Sequence, residues 1–236
     1  MEEIKNIVAD KSNEHTEELN LQHYSFIYDI DQIKKFAQII DLSGTHSLIL
    51  VSRKKYDSDA ISKCLFSKLI TNISIDEYIN NIEKLEVPIG CYKSPQSAMV
   101  IYCSTNHKNV KLGVKRFMEK CLEASFGRDD TFYDNAIDIL KSEIASTKKI
   151  IKIVSIDIDS KDDTYDVLIF IKQEEIVPLC VIETKNGHHI LLESSNNLKN
   201  LKNIYAKYSN KHNIGDIACP IPGTIQAGFP VQFVDF

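Results

Sequence analysis

Ile150-Ile151-Lys152-Ile153-Val154-Ser155-Ile156-Asp157-Ile158-Asp159 decides how the rest of the chain is read. Its density of β-branched residues predicts a strand, and a period of two places Asp157 and Asp159 on the same face. Two neighbouring carboxylates repel unless a cation lies between them. A hard divalent ion fills that role well, because it takes oxygen ligands and is often held by one or two carboxylates plus the phosphates of a substrate. The same pair also fits a solvated strand end that runs on into Ser160-Lys161-Asp162-Asp163. The residues further along the chain decide between the two.

After a variable arm, Pro178-Leu179-Cys180-Val181-Ile182 reads as a buried strand, and Asn186-Gly187 is a hairpin-turn signal leading into His189-Ile190-Leu191-Leu192. Thr184, Lys185, Gly187 and His189 are thereby gathered at one tight turn, where they can contact phosphate oxygens.

Ile156-Asp157-Ile158-Asp159-Ser160-Lys161-Asp162, followed by Ile182-Glu183-Thr184-Lys185-x-Gly187-x-His189, resembles the archaeo-eukaryotic primase superfamily, the primase-polymerases. That family carries an Asp-x-Asp metal motif and then a small-residue-x-His nucleotide motif on a hairpin. The resemblance extends over residues 48–236, with its strong motifs in the second half. It implies an α/β (α+β) catalytic core of two apposed sheet-and-helix modules, residues 23–149 and 150–236, with an RRM-like catalytic half and the active site between them. It also implies a nucleotidyltransferase that makes or extends primers from nucleoside triphosphates on a single-stranded DNA template, serving a helicase or another replication protein.

On that resemblance Asp157 and Asp159 hold Mg²⁺ or Mn²⁺, and a third acid completes the set near the primer hydroxyl, since one pair supplies little anionic oxygen for two ions. Asp216 precedes Pro222-Gly223-Thr224 as a third acid commonly does in the family. Asp235, at the end of Val231-Gln232-Phe233-Val234, is its rival, and Asp216 is preferred because it lies nearer the hairpin. His189, with Thr184, Lys185 and Gly187, is expected to bind the incoming triphosphate. Ser52-Arg53-Lys54-Lys55-Tyr56, at the end of a central strand, offers Arg53 and Lys54 as phosphate contacts, although a solvated charged loop has the same composition.

A second enzyme class competes for these residues. Tyr165-Asp166 followed by Glu183-Thr184-Lys185 also fits the Asp…Glu-x-Lys pattern of restriction-type nucleases, in which two acids hold a metal and the lysine helps activate water. That reading leaves Asp157, Asp159 and His189 without a purpose, whereas the primase-like one uses them. A primase-like domain kept only for binding nucleic acid is the third possibility.

Composition sets the frame. The 236 residues suffice for one large α/β domain or two small ones, and 43% hydrophobic with 26% charged residues is an ordinary globular balance. Six scattered cysteines without Cys-x-x-Cys spacing argue for reduced thiols and against a zinc module. The absence of a signal-peptide pattern or a membrane-length apolar run predicts a cytoplasmic protein without membrane contact. A net charge of −5 requires any nucleic-acid surface to be local.

The remaining elements are read from pattern. Residues 1–22 are expected to be a partly ordered polar leader, and residues 24–28 a short strand. A helix N-capped by Asp31 carries Ile33, Phe36, Ile39 and Ile40, and a central strand covers residues 47–51. Helices are expected over 60–69 and 75–85, a strand over 98–103, and a helix over 111–124 whose Leu112, Val114, Phe117, Met118, Cys121 and Leu122 face inward. Further helices are expected over 131–146 and 198–207, the last with Lys199, Lys202 and Lys207 exposed. The Pro- and Gly-rich segment 213–230 predicts a rigid, shaped loop.

Overall fold

Hydrogen bonding of β-branched segments to partners distant in sequence builds two antiparallel sheets, which the computed structural model describes over residues 23–91, 95–127, 130–147, 151–195 and 198–235. The polar leader, Ile150, residues 196–197 of the expected polar turn and Phe236 lie outside the described residues. The protein is of mixed α+β class, with seven α-helices among the described residues.

Helix α1 (Ile30–Ile40) begins at Asp29 rather than Asp31: the Asp29 carboxylate accepts from the backbone N–H groups of Asp31 and Gln32. Its Ile33, Phe36, Ala37 and Ile40 are buried. Strand β1 (Thr45–Ser52) pairs with β2 (Lys63–Thr71), and the register shifts at Leu50/Val51. The helix expected over 60–69 is therefore a strand. Leu65, Phe66, Leu69 and Ile70 have helical spacing, but β2 is an edge strand covered only in part, so burial never imposes a clean alternation on its sequence. Helix α2 (Ile75–Glu83) carries a Ser74/Glu77 capping box and packs on α1. Strand β3 (Met99–Ser104) pairs with the other edge of β1. Helices α3 (Val110–Gly127), α4 (Asp130–Asp134) and α5 (Ala136–Ala145) come next, so the helix expected over 131–146 is interrupted at Asn135.

From β4 (Ile153–Ile158) the chain runs through α6 (Lys161–Gln173), β5 (Cys180–Glu183), β6 (His188–Glu193), α7 (Leu198–Tyr208) and β7 (Asn213–Gly215). The variable arm between the two motifs is thus a 13-residue helix. These four strands lie in the order β5-β6-β4-β7 with every pair antiparallel, which is the β-α-β-β-α-β arrangement known as the split βαβ. The chain then leaves this sheet. Strand β8 (Ala218–Pro220) joins β3 and completes the first sheet in the order β2-β1-β3-β8. A short hairpin of β9 (Ile225–Gln226) and β10 (Phe229–Pro230) turns through Ala227 and Gly228, both at positive φ, and β11 (Gln232–Val234) returns to pair with β5. The two sheets do not separate at residue 150 as expected, because β8 belongs with the N-terminal strands.

One core joins the sheets. It gathers Leu48, Leu50, Met99 and Ile101 from the first sheet, Phe36, Ile40, Tyr78 and Ile82 from α1 and α2, and Ile153, Ile182 and Leu191 from the second. A separate cluster seals α6 and α7 onto the other face of the second sheet through Val154, Ile156, Ile158, Ile190 and Leu192. The alternation of β4 therefore sends Ile153, Ser155 and Asp157 to the side shared with the first sheet. No helix among the described residues is long and apolar enough to cross a membrane.

Candidate functional site

Asp157 stands in the middle of its sheet, across from His189 of β6 on one side and Asn213 of β7 on the other. His189 Nε2 lies 3.2 Å from Asp157 Oδ1. Asp159, just past the end of β4, shares that face and is far more open, with 70% side-chain exposure against 25% for Asp157. Burial pushes the His189 pKa down, an effect the carboxylates of Asp157 and Asp159 oppose. Its Nδ1 lies 3.4 Å from Ser155 Oγ and 3.5 Å from Cys219 Sγ. The row Cys219–His189–Asp157 has the outline of a thiol nucleophile with its base. However, Cys219 is fully buried and burial raises its thiol pKa far above the ordinary range, so it forms no thiolate at neutral pH.

The basic segment after β1 reaches this acidic pair from the first sheet. Lys55 Nζ is 3.3 Å from Asp159 Oδ1. Tyr56 lies beneath two ammonium groups, those of Lys55 at 5.2 Å and Lys185 at 5.4 Å from the ring centroid. Gln226 Nε2 donates to Tyr56 Oη at 3.0 Å, and Gln226 Oε1 accepts from the Lys185 backbone N–H, fastening the β9–β10 hairpin to both. Arg53 stacks over Tyr102 at 5.4 Å, and its Nε is buried with no hydrogen-bond partner. Burial raises the Tyr102 pKa to about 12. Lys54 is exposed, its backbone N–H held by Ser62 Oγ, so Lys55 is the lysine against the acids where the sequence favoured Lys54.

The hairpin residues divide between structure and site. The Thr184 hydroxyl donates to the Gly187 carbonyl at 3.0 Å and accepts from the Gly187 N–H at 3.3 Å, closing the turn. Gly187 passes so near the Ile158 carbonyl that a Cβ would collide with it, which explains the glycine. Lys185 Nζ donates to the Ala227 carbonyl at 2.9 Å. Of the group expected at phosphate, His189 adjoins the acids directly, while Thr184 and Gly187 shape the turn that carries it.

Asp216 is not brought to the pair. Because β7 runs antiparallel to β4 with Gly215 across from Ser155, Asp216 lies toward the start of β4, roughly 10 Å along the strand from Asp157. Its side chain is 2% exposed, 3.5 Å from Lys108 Nζ and 2.8 Å from Asn106 Nδ2. Asn106 also donates to the Ile153 carbonyl and accepts from the Lys152 and Ile153 N–H groups, so this cluster ties the turn after β3 to the start of β4. Asp235 lies beyond Val234, whose partner is Val181, at the far edge of the sheet. Neither rival supplies a third carboxylate.

The nuclease pattern is not assembled either. Glu183 is bound by Lys161 Nζ at 2.5 Å and Gln232 Nε2 at 2.9 Å, and the Lys161 contact lowers its pKa. Asp166 instead lines a cavity of about 340 Å³ between α6 and α7, with Phe170, Tyr208 and His212. Among the described residues no group of three or more His, Cys, Asp or Glu side chains is placed to hold a metal. Asp157 and Asp159 fit a single hard cation completed by ligands from solvent or substrate. Comparison with family models, with curated proteins and with solved structures gives no match.

Sequence reasoning passed over Asn213, Gln226, and the pairing of Asp216 with Asn106 and Lys108. All three owe their places to pairings between distant segments, for which the chain carries no local signal.

Proposed function

We propose that the chain is a metal-dependent nucleotidyltransferase of the primase-polymerase type, acting on nucleoside triphosphates over a single-stranded DNA template. The observation that carries this reading is the meeting of Asp157, Asp159 and His189, on a split βαβ sheet, with Lys55 from the segment that follows β1. Acids, an imidazole and a lysine at one place match the needs of a metal–triphosphate: oxygen ligands for the ion and donors for the phosphates.

Asp157 and Asp159 would hold Mg²⁺ or Mn²⁺, which when bound screens the charge of the triphosphate. Lys55 now neutralises Asp159, and it is free to turn to phosphate once a cation takes over that task. The unpaired Nε of Arg53 offers a further donor, with the guanidinium plane fixed against Tyr102. His189 holds Asp157 in place through Nε2, while burial disfavours its charged form. A helicase or another replication protein is the partner this activity implies.

A second reading, binding of a metal–triphosphate without turnover, is favoured by one observation: a neutral amide, Asn213, faces Asp157, while Asp216 is locked elsewhere. A single preparation tests both. Labelled-nucleotide incorporation on single-stranded DNA with Mn²⁺, abolished by Asp157→Asn with Asp159→Asn, supports transfer. Metal-dependent nucleotide binding that is lost in the same double variant, with no incorporation by the wild type, supports binding alone. If neither binding nor incorporation responds to the variant, both readings fail.

A further inference from the structure

The cavity between α6 and α7 lies behind the second sheet, on the side away from Asp157, and the proposed activity makes no use of it. One face of α6 supplies Asp163, Asp166, Phe170 and Gln173, and the end of α7 with the turn after it supplies Tyr208 and His212. Phe170 and Tyr208 meet edge to face, with ring centroids 5.5 Å apart, and the Tyr208 hydroxyl donates to the Asp166 carbonyl at 3.3 Å. His212 is only 8% exposed, and its Nε2 is buried with no hydrogen-bond partner among the described residues. Buried polar atoms are nearly always paired, so an unpaired one on a residue that lines a cavity is the mark of a binding site.

The chemistry of these walls selects a cation. Two carboxylates, two aromatic faces, an amide and an imidazole whose charged form burial disfavours all offer electron density. Two lysines of the chain already exploit it. Lys211 Nζ is 2.6 Å from Asp163 Oδ1, and Lys207 Nζ lies 3.7 Å from the centroid of Phe170 and 5.1 Å from that of Tyr208. Both lysines are exposed, and Asp166 is left without an ion pair among the described residues. A bare metal ion does not suit the cavity, since no three His, Cys, Asp or Glu side chains among the described residues are placed to hold one. Organic ammonium groups do. Along the α6 axis Asp163 and Asp166 are roughly 4.5 Å apart, and Asp166 and Phe170 roughly 6 Å, steps that the methylene spacers of a linear polyamine can span.

We propose that this cavity binds a linear polyamine, with ammonium groups at Asp163, at Asp166 and over Phe170. Lys211 and Lys207 hold the two end positions until the ligand displaces them, which makes them competitors built into the chain. The site stands apart from the metal–triphosphate reading, because it lies on the opposite face of the sheet and its occupancy is read by binding alone.

Spermidine titrated into the full chain by calorimetry, at about 150 mM salt to screen loose surface attraction, should bind saturably with one molecule per chain. Asp166→Asn should weaken binding about tenfold, the loss expected for a charge-assisted contact. Asp162→Asn removes the same charge from α6 outside the cavity and should leave the affinity unchanged. Lys207→Ala is the decisive variant: with the competitor gone from Phe170, spermidine should bind about threefold more tightly. Circular dichroism of each variant should match wild type. Absence of binding by both the wild type and Lys207→Ala overturns the proposal. Equal weakening by Asp162→Asn and Asp166→Asn overturns it too, since spermidine would then merely be attracted to an acidic protein. If Lys207→Ala weakens spermidine, or if the wild type binds inorganic phosphate and Lys207→Ala abolishes that binding, the cavity takes anions and the proposal fails.

Discussion

Asn213 is paired directly with Asp157 across β7 and β4, so the position best placed to add a third carboxylate carries an amide. Asn213→Asp should bring three acids to one end of the sheet and tighten Mn²⁺ binding at least tenfold, measured by titration calorimetry. Without metal the same variant should melt lower than wild type, since a further like charge is crowded against Asp157. Saturating Mn²⁺ should reverse that difference. Unaltered metal affinity would show that Asp157 is not a ligand.

Asp216 and Asp159 should respond in opposite ways to truncation. Asp216→Ala leaves the buried Lys108 ammonium and Asn106 amide without their partner, and loss of one member of a buried ion pair costs about 3 kcal/mol. Asp159→Ala removes only an exposed contact with Lys55, worth less than about 1 kcal/mol. Urea unfolding of the two variants compares them directly. Equal losses would contradict the division of structural and functional acids.

Gly187→Ala should destabilise the hairpin by about 2 kcal/mol, the usual cost of forcing atoms into a closed site. Because the Ile158 carbonyl is the obstacle, relief requires the end of β4 to move, and Asp157 and Asp159 move with it. The variant should therefore lose nucleotide affinity beyond its loss of stability, when binding is measured well below its melting temperature.

Acid should weaken the protein in two stages. Burial lowers the pKa of His46, His188 and His212. The unfolded chain takes up protons near pH 6.5 that the native state refuses, so stability is complete above about pH 6.5 and falls as the pH drops toward the native values. A second loss sets in below about pH 4, as the acids with lowered pKa become protonated. These are Glu183, held down first by Lys161, Asp29 by Gln32, Asp57 by Ser97, and Asp41 by Ser43, the last to about 2. Melting temperatures from pH 8 to pH 3 should show both stages, and a flat profile between pH 7 and pH 5 would refute the first.

The parts of this architecture that sequence reveals are those fixed by neighbours in the chain. β4, the β5–β6 hairpin and α7 are legible in β-branched runs, the Asn186-Gly187 turn and helical spacing, whereas the β4–β6 pairing that sets Asp157 across from His189 joins segments distant in the chain. Elements whose environment is set from afar are opaque. The apolar spacing of β2 suits a helix until β1 is laid beside it, and of the six α3 residues expected to face inward Val114, Met118 and Leu122 are exposed while Leu112, Phe117 and Cys121 are half-buried. Asp216 illustrates the same limit at the site: its distance from Pro222-Gly223-Thr224 suggests a ligand, but the direction of β7 carries it away from the acids. Gly223 explains that loop differently, since its carbonyl accepts from the N–H groups of Tyr28 and Asp29 and anchors the start of α1.

The placement of β8 bears on how the protein is made. The first sheet lacks its fourth strand until residues 218–220 have been synthesised, and Ile27 finds its bridge partner only at Thr224. Until then β3 presents an unpaired edge to the cell, with Met99, Val100 and Ile101 among its residues, and such edges invite association with other chains. The nascent chain should require protection by chaperones until residues 218–220 have emerged. Shortening it from the C-terminal end by some twenty residues should yield aggregates rather than a smaller soluble domain.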